Sequence, residues 1–69
     1  MTQSQVVYQI MLHLEKFPQF ELQGSGPDFV TYSLGKGNDF AFFVEEELNI
    51  WSPMFGEFKN VAEFIEQFN

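Results

Sequence analysis

One histidine, a run of three glutamates and a single tryptophan hold most of the chemistry within reach of this chain. His13 is the only imidazole, so a histidine-rich metal site is impossible. A hydrolase triad would need His13 as base and one of Ser4, Ser25, Ser33 or Ser52 as nucleophile. None of these serines lies in a nucleophile-elbow pattern. On a helix, His13 falls beside Leu12 and Leu14 at the edge of an apolar stripe, the place of a boundary or surface histidine. Cysteine is absent, which removes disulfide staples and thiolate zinc sites.

Glu45, Glu46 and Glu47 are the densest charge in the chain. Successive strand residues point to opposite faces, so a regular strand cannot aim all three at one ion. A turn could gather them with Asp39 around a hard cation, but the spacing matches no calcium loop. A solvated turn, or an edge guarded by charge, is the commonest role of such a run. The third role is an acidic surface that meets a basic partner and steers its approach. Glu47 and Glu57 are the carboxyl pair an acid–base enzyme would use, yet nothing in the sequence fixes their separation. No catalytic residue, cofactor or metal site is expected, and the chain reads as non-enzymatic.

Trp51, Pro53, Met54 and Phe55 put four bulky residues into one short segment. They either close the core under the last helix or supply an exposed patch, with Trp51 joining Phe43 and Phe29. An aromatic patch rimmed by glutamate marks a protein interface. The candidate interface is therefore Asp39, Glu45, Glu46, Glu47, Trp51, Phe55 and Glu57.

The elements that must position these residues follow from hydrophobic period. Thr2 to Phe17 reads as a helix: Val6, Ile10, Leu14 and Phe17 form one stripe, and Thr2 with Gln5 fits a capping box. Pro18 stops it. Phe20 to Gln23 then alternates as a short strand, and Gly24-Ser25-Gly26-Pro27 breaks it. Phe29 to Leu34 alternates again, Gly35 to Asp39 has hairpin-loop composition, and Phe40, Phe42 and Val44 share a face of the next strand. Whether the three glutamates form a turn or a bulge is left open by the pattern. Leu48 to Trp51 resumes the strands, and Ser52-Pro53-Met54-Phe55-Gly56 ends them. Asn60 caps a last helix with Glu63 in the reciprocal position, and Val61, Phe64, Ile65 and Phe68 form its stripe. The expected fold is a single α+β domain over 1–69: an antiparallel sheet of three to four strands with both helices on one face.

The order of helix, three strands and helix resembles the double-stranded-RNA-binding domain. In that family a lysine cluster opens the last helix and grips phosphate. Here Lys59-Asn60-Val61-Ala62-Glu63 offers one lysine and one glutamate, so the likeness stops at element order.

Composition sets the partner. The 69 residues hold 10 acidic side chains against 3 lysines and no arginine, a net charge of −7. Such a chain repels phosphate and anionic headgroups, which excludes direct nucleic-acid and membrane-surface binding. Met-Thr-Gln-Ser-Gln lacks the basic flank and apolar centre of a secretory signal, and a cytoplasmic location is the expectation. The leading expectation is an acidic interaction module, in sharper form a nucleic-acid mimic that blocks a basic DNA- or RNA-binding protein. The alternatives are a small hydrophobic-ligand binder with phenylalanines lining a cavity, or a homodimeric domain without ligand.

Overall fold

Thr2 opens the first helix by the expected reciprocal cap. In the computed structural model, which describes residues 1–68, its Oγ1 accepts from the Gln5 N–H at 3.2 Å. Gln5 Oε1 in turn accepts from the Thr2 N–H at 2.7 Å. Helix α1 runs Gln3–Leu14 and buries Val6, Val7, Ile10 and Leu14. It stops before Phe17: the Lys16 N–H turns to the His13 carbonyl and the Phe17 N–H to the Leu14 carbonyl. Pro18 disfavours helical geometry at the residue before it, so the chain unwinds over the preceding turn.

Five strands follow in a meander: β1 (Glu21–Ser25), β2 (Phe29–Ser33), β3 (Asp39–Val44), β4 (Ile50–Ser52) and β5 (Gly56–Phe58). Each pairs antiparallel with its neighbour, in the spatial order β1-β2-β3-β4-β5. Helix α2 (Val61–Gln67) closes the chain. Helix α1 packs on β2 and β3, α2 packs on β5, and the two helices touch. This is the two-layer α+β arrangement that the periodicities predict, with one strand more than expected.

The extra strand comes from the segment expected to end the sheet. Ser52 is buried, and its Oγ accepts from the backbone N–H groups of Met54 and Phe55 at 3.3 and 3.4 Å. Gly56 adopts φ +86°, a left-handed conformation that glycine takes without steric cost. Ser52–Gly56 is thus a tight hairpin, and the chain returns as β5.

Between sheet and helices lies a core made mainly of aromatic rings. Phe42 and Phe64 are fully buried with centroids 5.2 Å apart, and Phe64 stacks on Phe68 at 4.8 Å. Edge-to-face and offset contacts of this kind stabilise beyond the area they bury. His13 belongs to this core, not to the surface. It is 6% exposed, its Nε2–H donates to the Phe68 carbonyl at 2.7 Å, and its ring meets Phe17 and Phe64 edge-on. Three residues after Ile10, it lies on the stripe that faces α2. Tyr32 is buried too, and its phenol is pushed up to about 12 by burial, with the Glu15 carboxylate adding to the shift.

Candidate functional site: the open sheet face and its acidic end

Strand register decides what the uncovered face of the sheet presents. Phe29 on β2 pairs with Phe43 on β3, Phe43 with Trp51 on β4, and Trp51 with Glu57 on β5. Paired residues share a face. The four side chains therefore form one row across the sheet, on the side opposite buried Phe42, Val44, Ile50 and Phe58. Phe43 and Trp51 are 39% and 44% exposed, with ring centroids 5.8 Å apart. Phe29 is half-buried and its ring lies over Gly26, where a Cβ would collide with it.

Beside this row runs a trough. Thr31 and Ala41 are partners across β2 and β3, and their small side chains line a groove of about 440 Å³. Phe43 and Pro53 border it, together with Asp39 and Gln23.

The row of aromatics runs into the strongest charge of the molecule. Glu45, Glu46 and Glu47 lie in the loop between β3 and β4, which is a turn. The Leu48 N–H donates to the Glu45 carbonyl at 2.8 Å, and the Glu45 N–H to the Asn49 carbonyl at 2.9 Å. Leu48, which closes this turn behind Glu46 and Glu47, takes φ +69°. With Glu57, Asn49 and Lys59, the three glutamates line a shallow depression of about 570 Å³. Asn49 ties the two sides together, its Nδ2 donating to Glu45 Oε1 at 2.6 Å and to Glu57 Oε2 at 2.8 Å. Asp28 belongs to the same end, because its carbonyl accepts from the Val44 N–H at 2.8 Å.

The candidate residues are thus partly gathered. Glu45, Glu46, Glu47 and Glu57 share the depression, and Trp51 stands directly across from Glu57. Asp39 begins β3 and so lies at the opposite end of the sheet from Glu45. Phe55 turns to the helix-covered side, with its ring 5.2 Å from Phe40, 5.1 Å from Phe68 and stacked on Phe42. Its ring covers the edge of the core beside Phe68 while remaining 37% exposed, and it does not join Trp51. Asp28, Asn49 and Lys59 are members of the acidic end that the sequence did not indicate. Lys59 alone had a signal, lying two residues beyond Glu57 in strand period. Glu47 and Glu57 are both exposed in the open depression. No group of histidine, aspartate and glutamate side chains suited to a metal ion occurs among the described residues. Among them, too, no helix is long and apolar enough to cross a membrane.

Comparison with known proteins finds no matching family model, no matching curated protein and no matching solved structure.

Proposed function

We propose that this chain is a small non-enzymatic interaction module, and that its open sheet face and acidic end receive a basic protein. One observation carries the reading. The aromatic row of Phe29, Phe43 and Trp51 lies on the face that both helices leave uncovered, and it ends at Glu57 and the glutamate turn. A two-layer domain needs only one apolar sheet face, so large rings on the other are surplus to folding. Aromatic side chains are enriched at protein interfaces, and a clustered negative field raises the rate of encounter with a positive partner.

In its sharper form the partner is a DNA- or RNA-binding protein, and the carboxylates take the place of phosphates in its basic groove. The net charge of −7, the absence of arginine and acidic side chains at both ends of the sheet support that form. The test is affinity capture on the immobilised chain from nuclease-treated cell lysate at low salt, with the retained proteins identified. A control in which Glu45, Glu46, Glu47 and Glu57 are all changed to glutamine is run beside it. Basic proteins that elute with salt from the native chain, and are not held by the control, support the reading. Retention that neither salt nor the control reduces contradicts it. A captured protein that keeps its nucleic-acid affinity when the chain is bound leaves the module reading and removes the mimic.

A further inference from the structure

Trp51 and Glu57 sit directly opposite each other on neighbouring strands, on the exposed face of the sheet. Directly paired side chains on a sheet have Cβ atoms roughly 5 Å apart. The Trp51 and Glu57 side chains thus rise from neighbouring positions on the same face, and Phe43 flanks the indole from β3 with ring centroids 5.8 Å apart. Glu57 is held in place: Asn49 Nδ2 donates to its Oε2 at 2.8 Å, while its Oε1 has no hydrogen-bond partner among the described residues. One carboxylate oxygen is anchored and the other is free to accept. The chain contains no arginine; of its three lysines, Lys59 lines the same depression as Glu57, while Lys36 is in the loop between β2 and β3 and Lys16 follows α1.

From this juxtaposition we infer that Trp51, Phe43 and Glu57 form a seat for one arginine side chain of the basic partner. The guanidinium stacks on the indole and donates to Glu57 Oε1, and the glutamate turn beside it attracts the rest of a positive segment. Charge complementarity selects a basic occupant over a second copy, since two chains each carrying −7 repel one another across the same face. Planarity selects arginine over lysine. A guanidinium offers a flat face to the indole and in-plane N–H groups to a carboxylate, whereas an ammonium is a compact, strongly hydrated charge. The inference rests on the reading of this face as the docking site of a basic protein, and it names the side chain that is recognised.

The experiment titrates the full chain with two capped hexapeptides, one of alternating arginine and glycine and the other of alternating lysine and glycine. Calorimetry at low salt gives the affinities, and the indole N–H resonance of the single tryptophan reports where the peptide sits. The arginine peptide is expected to bind about three-fold more tightly than its lysine counterpart and to shift the indole resonance. Trp51→Ala should bring the ratio of affinities to about one while the lysine peptide keeps its salt-sensitive binding. Trp51→Phe, which retains an aromatic ring, should restore part of the preference. Glu57→Gln should weaken the arginine peptide more than the lysine peptide. Equal salt-sensitive binding of both peptides to the native chain would overturn the arginine seat and leave the basic-partner reading standing. So would a preference that survives Trp51→Ala. Binding of neither peptide at low salt would remove both. Sedimentation that shows a dimer dissociated by Trp51→Ala would assign the face to a second copy instead.

Discussion

At the scale of single residues, burial separates side chains that hold the fold from those that can serve a partner. His13 is a bridge between the helices: its imidazole fills space among Phe17 and Phe64 and satisfies the Phe68 carbonyl. Replacing His13 by alanine leaves that carbonyl without its donor and opens a void, at a cost of about 2–3 kcal/mol. Urea unfolding should show that loss, while Lys16→Ala, at an exposed position, should leave the midpoint nearly unchanged. Tyr32 makes a second prediction, in pH. Its phenol ionises at about 12 in the folded chain against an ordinary 10.0, because burial and then Glu15 disfavour the phenolate. The stability this group contributes is complete below the ordinary value, since the phenol is then neutral in both states. Above it the unfolded chain releases the proton first, so stability falls until the pH passes the folded value of about 12. Unfolding midpoints followed from neutral to alkaline pH should therefore decline less steeply in Tyr32→Phe than in the native chain. Identical declines would contradict the assignment.

At the scale of elements, β5 depends on one side chain. Phe58 is 2% exposed and meets Phe64 of α2 at 5.3 Å, whereas Gly56 and Glu57 face solvent. Phe58→Ala should cost about 3–5 kcal/mol and release the β4–β5 hairpin first. Amide exchange of Glu57 and Phe58 would then accelerate before that of β2 and β3. This strand also marks where the sequence stopped being legible. A three-residue strand is too short to show an alternating period, and Pro53 with Gly56 reads equally as an ending or as a turn. The glutamate turn was obscured differently: Leu48 occupies a left-handed conformation that apolar residues seldom take, so nothing in its identity announces the bend. Where the sequence signal is strong, the structure follows it. The Thr2–Gln5 box, the Val6–Ile10–Leu14 stripe and the alternation of Phe40, Phe42 and Val44 all appear as the sequence implies. The helix end did not, because Pro18 acts on the turn before it. Asn60 caps α2 as expected, accepting from the Glu63 N–H at 2.9 Å, but Glu63 reaches back one residue further, to the Lys59 N–H.

At the scale of the whole molecule, charge and aromatics divide the labour. Every phenylalanine except Phe29 and Phe43 joins the connected cluster between sheet and helices, so most of the chain's aromatic rings are taken up by a single core. What remains is exposed Tyr8 on α1 and the short row of Phe29, Phe43 and Trp51 on the other side of the sheet. The sequence could name Trp51 and the glutamates but not their adjacency, because the pairing of Trp51 with Glu57 depends on the hairpin it did not reveal. It grouped Phe55 with Trp51 on composition alone, and the hairpin sends those rings to opposite faces. The net charge of −7 on a body of 33 × 23 × 20 Å opposes compaction through self-repulsion. Added sodium chloride screens that repulsion, so the thermal midpoint should rise with salt. A midpoint that falls with salt would show instead that attractive pairs dominate. The same screening weakens attraction to a basic partner, and the two trends should run in opposite directions. The most direct test of the docking account is the affinity of the chain for its captured partner, measured by calorimetry across a salt series. That affinity should fall steeply with salt, with a shallower slope when Glu45, Glu46, Glu47 and Glu57 are changed to glutamine. An affinity unchanged from low to high salt would contradict the docking account.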